Sequence, residues 1–415
     1  MVTRLLACAM IFTLASGQVL DSKRALGLRV NGIRMANFPA ASMKKDPISI
    51  SFDVNEQPAP DLYLHVYHCD RDWKRTENVF INDQFRTVGK FPVAYTAAPA
   101  GVEGYRYSYQ FQFPGSFGFE EFQFSGNYEC EVRERTTEDI LARARFFVVE
   151  DRQPASIRVT NRQLPSLSTP FNQAHLVAVA IRVKEEGKDP LDRIQFSQIR
   201  IVDVYKNREI DRCVRIDADD DRPDTFVEGL GSDKLIFRVD DMGPGNEYRT
   251  LDLTDVNFFP QGKTSRARDG ADVSRFFHQG NPDRDGKSFL TRGTRYSGYV
   301  NYRFELLQDE SIQEPVYVKG DFNGWGINEV YKMNYDGFTK RYILDVSMRR
   351  GTYDYEYALA SGPAIGLEGN DWRTTNVYTA LVYFRDARLG GFDRIIGCVQ
   401  SKSSGGAEFS RGGAQ

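Results

Sequence analysis

Runs of alternating apolar and polar residues recur along this chain, and they constrain its fold more than any other feature. Residues 48–54 read Ile-Ser-Ile-Ser-Phe-Asp-Val, and residues 62–69 and 105–113 alternate in the same way. Successive side chains of a strand point to opposite faces, so alternation at period two predicts strands with one buried face. Turn signals such as Pro114-Gly115 separate the runs. Short alternating strands between turns predict β-sandwiches.

The composition agrees with this pattern. Aromatic residues make up 13 % of the 415 residues, and aromatic side chains favour strands. No helical period of useful length follows the first residues, so we predict an all-β chain of tandem immunoglobulin-like or E-set-like β-sandwich domains. The predicted units are residues 18–152, 153–290 and 291–400. The Ser- and Gly-rich residues 401–415 are predicted to be a disordered tail.

Residues 1–17 have the pattern of a secretory signal peptide. Arg4 precedes an apolar run of about eleven residues, and Ala15-Ser16-Gly17 offers small residues for cleavage. A membrane span needs about 20 apolar residues, and no later segment approaches that length. We therefore expect an exported protein with no transmembrane segment of its own. Cys8 lies in a lipoprotein-like Leu-Leu-Ala-Cys box and is expected to leave with the signal, unless translation starts upstream.

Four cysteines remain after cleavage of such a signal. Cys69 and Cys130 fall in the same predicted unit, each at the end of a strand-like run. In an oxidising compartment this arrangement predicts a Cys69–Cys130 disulfide, and the alternative is two buried thiols. Cys213 and Cys398 fall in different predicted units and are expected to be free.

Residues for catalysis are scarce. The chain has only four histidines, and it lacks the G-x-S-x-G, Walker, H-E-x-x-H and C-x-x-C motifs. His65 and His68 lie three residues apart on a predicted strand and should face opposite sides. The formal net charge of −3 without a basic run argues against a nucleic-acid partner. We predict a protein without catalytic residues or cofactor, and a glycan-active enzyme is the least favoured alternative.

Two acidic loops have some features of calcium sites. Asn281, Asp283 and Asp285 alternate before Gly286, but Arg292 stands where a bidentate Glu is needed. Asp217, Asp219 and Asp221 alternate as well, but Arg222-Pro223 replaces the required Gly. Solvated loops are the expectation for both, so no metal is predicted.

The segment Gly320-Asp321-Phe322-Asn323-Gly324-Trp325 is the most specific local motif. It resembles the early-Ig-like modules that bind glycogen or starch, in which a Trp of this segment can stack on a sugar ring. The resemblance implies Phe322, Asn323, Trp325 and Trp372 as candidate ligand or interface residues. The alternative is that the motif only builds a strand-turn-strand corner.

Several further motifs occur in one order along nearly the whole chain. They are Tyr67-His68-Cys69-Asp70-x-Asp72-Trp73, Ser125-Gly126-Asn127-Tyr128, Gly245-Asn246-Glu247-Tyr248-Arg249, Glu368-Gly369-Asn370-Asp371-Trp372-Arg373 and Phe392-Asp393-Arg394-Ile395-Ile396-Gly397. With the segment around Trp325, this set resembles the plug proteins of the type IX secretion system.

That resemblance implies a periplasmic, non-catalytic protein associated with the outer membrane. Its partner would be the outer-membrane translocon barrel of type IX secretion, whose periplasmic mouth it would bind and seal. The alternative function is a periplasmic glucan-binding protein that uses Trp325.

Overall fold

The computed structural model describes residues 24–32, 38–150, 152–163, 173–183, 198–276 and 283–403. These residues form three packed β-sandwich units, which confirms the prediction of an all-β chain of tandem sandwiches. Two four-residue α-helices, α1 (Val79–Asn82) and α2 (Ile365–Glu368), lie between strands. The predicted signal peptide, residues 1–17, lies outside the described residues, as does most of the predicted tail.

The first unit pairs two four-stranded sheets. One sheet has the strand order β1-β3-β6-β5 and the other has the order β2-β8-β7-β4. Their bounds are β1 Ala25–Gly32, β2 Ala40–Ser42, β3 Ile48–Val54, β4 Leu62–Cys69, β5 Tyr95–Ala97, β6 Tyr107–Phe113, β7 Gly126–Glu134 and β8 Ile140–Val149. In β6, Tyr109, Phe111 and Phe113 are buried while Gln110 and Gln112 are exposed, as the alternation predicts.

The second unit contains the C-terminal hairpin of the chain. Its sheets have the orders β13-β14-β10-β9 and β12-β11-β24-β25. The bounds are β9 Ala155–Gln163, β10 Gln173–Arg182, β11 Ile201–Lys206, β12 Cys213–Asp217, β13 Thr225–Glu228, β14 Lys234–Met242, β24 Val377–Asp386 and β25 Phe392–Lys402.

The third unit is built from the strands between β14 and β24. One sheet has the order β15-β22-β17, with β19 and β23 also paired to β22, and the other has the order β16-β18-β21-β20. The bounds are β15 Arg249–Asp252, β16 Thr264–Ser265, β17 Phe289–Leu290, β18 Tyr299–Leu307, β19 Val316–Gly320, β20 Asn334–Asp336, β21 Arg341–Arg349, β22 Gly351–Leu359 and β23 Gly362–Pro363.

The third unit is therefore inserted into the second, and this differs from the consecutive units predicted over 153–290 and 291–400. Strand β15 pairs with β22 of the third unit, whereas β24 pairs with β11 of the second over Ile201↔Tyr383 to Lys206↔Tyr378. Strand β25 continues to Lys402, two residues into the predicted tail. Alternation identifies a strand but not its partner, because pairing is set by contacts distant in the sequence.

The first and second units share a stack of four sheets. The sheet β2-β8-β7-β4 packs one face on the first core and its other face on the sheet β12-β11-β24-β25. Strand β24 is consequently buried on both faces. Tyr378, Ala380 and Val382 lie in the core of the second unit, while Leu381 and Tyr383 lie in the layer between the units.

No helix in the described ranges is long and apolar enough to cross a membrane.

Candidate functional site

The described histidines are held in structural roles. His68 is buried on β4, with Nδ1 2.8 Å from Thr76 Oγ1 and Nε2 3.1 Å from the Ser125 carbonyl oxygen. Burial lowers the pKa of His68 to about 4, so the ring stays neutral at physiological pH. His175 lies buried between the Tyr378 hydroxyl and the Trp372 carbonyl oxygen. His65, the third described histidine, is exposed with its Nδ1 3.0 Å from the Tyr67 hydroxyl oxygen, and His278 lies outside the described residues.

The acidic loops are occupied by contacts within the protein. Asp219 forms an ion pair with Arg200, and Asp217 Oδ1 accepts the Asp219 backbone N–H at 3.0 Å. Asp283 Oδ1 accepts from the Asp285 N–H at 2.7 Å, while Asn281 lies outside the described residues. Within the described part of the chain, no group of three or more His, Cys, Asp or Glu side chains is arranged to hold a metal ion.

The segment around Trp325 builds a corner of the third unit. Trp325 is only 1 % exposed, its Nε1 donates to the Gly286 carbonyl oxygen at 3.0 Å, and its ring centroid lies 4.2 Å from that of Tyr248. Asn323 Nδ2 donates to the Val318 carbonyl oxygen and Oδ1 accepts from the Gly320 N–H. Phe322 packs on Tyr331. A ring that stacks on sugar must be accessible, so Trp325 in this position cannot form a sugar platform.

Trp372 and Trp325 do not form a shared exposed surface. The Trp372 side chain is half-buried, and the Trp372 carbonyl oxygen accepts from His175 Nε2 at 3.0 Å. The four candidate residues Phe322, Asn323, Trp325 and Trp372 therefore contribute to packing and hydrogen bonding within the fold. No observation on the described residues favours the glucan-binding alternative.

The predicted Cys69–Cys130 disulfide is absent, because the two thiols lie on opposite faces of one sheet. Cys130 belongs to the core of the first unit, whereas Cys69 belongs to the layer between the first and second units. Cys130 faces Val66 across the β4–β7 ladder, which places Cys69 three residues, or about 10 Å, farther along β4. A disulfide requires Cα atoms within about 7 Å. Burial raises the pKa of Cys69 to about 12, so its thiol is unreactive at neutral pH.

Charged pairs lie buried where the first and third units meet. Arg349 Nη1 lies 2.7 Å from Asp53 Oδ2, and the Tyr299 hydroxyl donates to the same carboxylate at 2.8 Å. Asp53 is fully buried and Arg349 is 7 % exposed. Buried charges tolerate little displacement because each must keep its partner.

Two further pairs join the second and third units. Lys319 Nζ lies 2.8 Å from Glu209 Oε2, and Arg208 Nη2 lies 2.9 Å from Asp321 Oδ1. Lys319 has no solvent exposure. Both pairs connect the start of the Gly320 corner to the β11–β12 turn, so the motif that resembles a glycan-binding segment here anchors one unit to another.

The C-terminal hairpin bonds to the first unit. Arg394 Nη2 lies 2.6 Å from Glu150 Oε2, and the Tyr383 hydroxyl donates to Asn127 Oδ1 at 2.8 Å. Gly126 fits closely at this junction, since a Cβ atom there would lie 2.4 Å from His68 Nε2 and 2.8 Å from the Asp393 carbonyl oxygen. Together with the shared apolar layer, these contacts fix the units against one another.

An exposed apolar surface is formed where α1 meets the β24–β25 turn. Val79 and Phe80 are 74 % and 75 % exposed, and Leu389 is 41 % exposed. The Asn78 side chain ties the segments together, because Oδ1 accepts from the Phe80 N–H and Nδ2 donates to the Leu389 carbonyl oxygen. We call Val79, Phe80 and Leu389 the edge patch. Adjacent exposed apolar side chains are typical of protein-interaction surfaces.

Sequence reasoning did not find the edge patch or the junction pairs. In the sequence, residues 79–81 form an ordinary Val-Phe-Ile run. In the structure, Ile81 is buried, whereas Val79 and Phe80 are exposed. Leu389 lies about 310 residues away in the chain, so nothing local links it to α1. The Arg-Asp and Lys-Glu pairs likewise join residues that no short motif connects.

Comparison with known proteins identifies the first unit. A family model described as "Type 9 secretion system plug protein 1st domain" matches residues 24–150. The matched range corresponds to β1 through β8, which is the complete first sandwich. No curated protein matches the chain.

A solved structure has a similar fold over most of this chain. A hypothetical protein from Parabacteroides merdae ATCC 43184 superposes with a TM-score of 0.73 at 21 % identity, over 93 % of this chain and 99 % of that chain. The teleost fish polymeric Ig receptor ectodomain aligns over 52 % of this chain and 87 % of that chain at 11 % identity, but its TM-score of 0.14 supports no structural argument. The similarity to the type 9 secretion system plug protein 1st domain therefore covers the first unit of this chain, residues 24–150.

Proposed function

We propose that this chain is a periplasmic plug subunit that binds and seals the periplasmic mouth of the outer-membrane translocon barrel of type IX secretion, without catalysis. The match of residues 24–150 to the plug protein 1st domain carries the proposal. The signal-peptide pattern of residues 1–17 agrees with export to the periplasm.

The mechanics of the fold suit a seal. A cap over an aqueous pore must keep its shape while one face is bound, and four stacked sheets with three buried apolar layers, one of them between the first and second units, resist bending. The pairs Arg349–Asp53, Lys319–Glu209 and Arg394–Glu150 hold the three units in one arrangement. Such a body can block a pore by shape alone, so no reactive group is needed.

The edge patch is the contact that we propose for the barrel. It belongs in part to the unit that matches the plug domain, because Val79 and Phe80 lie within residues 24–150. Exposed aromatic and aliphatic side chains of this kind supply most of the affinity when they insert into a partner's pocket. Charged side chains of both signs lie beside Leu389, namely Asp70, Lys74, Arg75, Glu77 and Arg385, so we expect a polar rim around the apolar contact.

Co-purification tests the proposal. A tagged copy of the full chain is produced in the native host, the outer membrane is dissolved in mild detergent, and captured proteins are identified by mass spectrometry. We expect the barrel to co-purify with the wild-type chain. The double variant Val79→Asp, Phe80→Asp should lower the yield of barrel about tenfold or more, because charge replaces two apolar contacts.

Phe338→Asp is the matched control. Phe338 is 96 % exposed at the β20–β21 turn, outside the region that matches the plug domain. This variant makes the same chemical change at an exposed aromatic residue and should retain the barrel. Absence of any barrel with the wild-type chain would refute the proposed function, and equal loss in both variants would refute the role of the edge patch.

A further inference from the structure

A small cavity of about 20 Å³ lies between the first and third units. Arg29 of β1 lines it from the first unit, and the third unit supplies Ser288, Asp321, Ser347 and Tyr353 among other residues. A cavity needs roughly 10–15 Å³ to hold one water molecule, so this one has room for a single water molecule or a monatomic ion. The three residues of the edge patch are not among its lining residues.

The local structure of β1 directs Arg29 away from the first core. Leu28 and Val30 lie in that core, so the side chain between them points to the opposite face, where the third unit packs. A bulge interrupts the β1–β3 ladder just before Arg29, and Gly27 within it has a φ of 57°. A Cβ atom on Gly27 would lie 2.8 Å from the Tyr299 hydroxyl oxygen, so glycine lets the third unit approach closely here.

Arg29 is a buried cation without a counterion in the described part of the chain. It is 8 % exposed, and its Nε has no hydrogen-bond partner among the described residues. No carboxylate oxygen of a described residue lies within 4.0 Å of its guanidinium nitrogen atoms. Guanidinium groups stay protonated in proteins, and a buried charge is costly unless another charge compensates it.

The other charged groups at this cavity already have partners. Arg349 Nη1 lies 2.7 Å from Asp53 Oδ2, and Arg208 Nη2 lies 2.9 Å from Asp321 Oδ1. The carboxylate of Asp321 that lines the cavity is therefore compensated by Arg208. These two pairs leave the charge of Arg29 over.

Arg292 adds to the positive charge at the same junction. Its pKa is lowered, first by burial and then by the charges of Arg29 and Arg349, which outweigh the attraction of Asp53. The four arginines of this junction, Arg29, Arg208, Arg292 and Arg349, therefore outnumber its two aspartates. An anion is the species that would restore the balance.

We propose that this cavity binds one chloride ion, which neutralises Arg29 and joins β1 to the third unit. The Arg29 guanidinium would donate to the ion, and the Ser347 hydroxyl, which also lines the cavity, would be a second donor. The occupant is an anion rather than water, because water would leave the charge of Arg29 uncompensated. It is monatomic, because the volume leaves no room for phosphate or a carboxylate group.

The proposal is independent of the translocon role, since it concerns the inside of the molecule and not the edge patch. Barrel co-purification without chloride binding would refute this proposal alone. Chloride binding by a chain that retains no barrel would refute the proposed function alone.

Bromide locates the ion directly. Crystals of the full chain are soaked in sodium bromide, because bromide replaces chloride and scatters X-rays anomalously. We expect an anomalous peak in the cavity, in contact with the Arg29 guanidinium. This measurement uses the wild-type protein, so it decides the matter even if a variant fails to fold. A cavity that shows only water, with no anomalous peak, would overturn the proposal.

Thermal unfolding measures binding in solution. Sodium gluconate, whose anion is too large for the cavity, is replaced stepwise by sodium chloride at constant ionic strength. A ligand that binds only the folded state raises the unfolding temperature, here by about 1–2 °C for each tenfold rise in chloride above its dissociation constant. We expect this rise in the wild type.

Arg29→Met removes the charge and keeps an unbranched apolar side chain, so it should abolish the chloride-dependent rise. Arg86→Met is the matched control, because Arg86 is an exposed arginine of the same unit, and this variant should keep the whole rise. General effects of salt act on all three proteins alike. No rise in the wild type, or an equal rise in the wild type and Arg29→Met, would overturn the proposal.

Discussion

Lys319 shows at the scale of one residue how the junctions between units are held. Its ammonium group has no contact with solvent and lies 2.8 Å from Glu209 Oε2 and 3.5 Å from Glu356 Oε1. Burial alone would raise the pKa of Glu209, but the charges of Lys319 and Lys206 outweigh burial and hold that pKa well below its ordinary value. The Glu209 carboxylate therefore stays charged, and Lys319 is the main cation that compensates its charge.

Lys319→Met should destabilise the protein by about 3–5 kcal/mol, because it removes the nearer of the two cations that compensate the buried Glu209 and leaves only Lys206, 3.5 Å from Oε1. The free energy of unfolding, measured with chemical denaturant at neutral pH, checks this value. Lys332→Met is the matched control. Lys332 is exposed 3.4 Å from Glu329 Oε2, so the loss there should stay under about 1 kcal/mol. Equal effects of the two substitutions would contradict the role of Lys319.

Asp283 predicts a dependence of stability on pH. Burial raises its pKa to about 7, and the nearby carboxylates of Glu247 and Asp354 add to the rise, against hydrogen bonds from the Tyr248 and Asp285 backbone N–H groups. The folded state thus holds this proton more tightly than the unfolded state, whose pKa is near 3.8. The stabilisation is complete below pH 3.8 and is lost as the pH rises through 7.

Asp283→Asn removes this titration. Between pH 5 and pH 8, the wild type should lose about 1–3 kcal/mol of unfolding free energy relative to the variant. Denaturant unfolding of both proteins at the two pH values measures the difference. A difference that stays the same at both pH values would show that Asp283 does not titrate in this range.

At the scale of elements, the pairing of β4 with β7 keeps Cys69 and Cys130 apart as free thiols. Because Cys69 and Cys130 point to opposite faces, the unreduced, denatured protein should react with a thiol reagent at both residues, and at Cys213 and Cys398. A reductant should leave the unfolding temperature unchanged. A protein mass that indicates a Cys69–Cys130 disulfide would contradict this register.

Alternation predicted strands well, and it predicted their partners poorly. The runs at 48–54 and 62–69 became β3 and β4, because the period of side-chain direction is a local property, but the polar residues Ser51 and Asp53 of β3 are buried as well, so one exposed face was not found there. The disulfide failed because facing depends on register, which depends on the partner strand. The insertion of the third unit into the second depends likewise on distant contacts, because Tyr205 of β11 pairs with Thr379 of β24, 174 positions later in the chain.

The C-terminal hairpin should be essential to the second unit. A fragment of residues 153–290 lacks β24 and β25, which supply Tyr378, Val382 and Ile396 to the core. This fragment should not unfold cooperatively. A fragment that joins residues 152–248 to residues 376–403 through a Gly-Ser linker should recover a cooperative transition, measured by near-ultraviolet circular dichroism. Cooperative unfolding of the first fragment alone would contradict the inserted arrangement.

At the scale of the whole molecule, the candidate sites arise from packing that no motif reports. The edge patch joins α1 to a turn near the end of the chain, and the cavity beside Arg29 joins β1 to the third unit. The segment around Trp325 builds a corner of the third unit, and its link to Glu209 through Lys319 was not foreseen. The stacking of the sandwiches depends on contacts between residues that are distant in the sequence, so no short motif indicates it.

Conductance of the purified barrel in a planar bilayer directly tests whether the chain seals the pore. We expect the full chain, added on the periplasmic side, to close the pore. The double variant Val79→Asp, Phe80→Asp should close it only at about tenfold or higher concentration. Phe338→Asp should close it like the wild type. A pore whose conductance is unaffected by saturating wild-type chain would contradict the account.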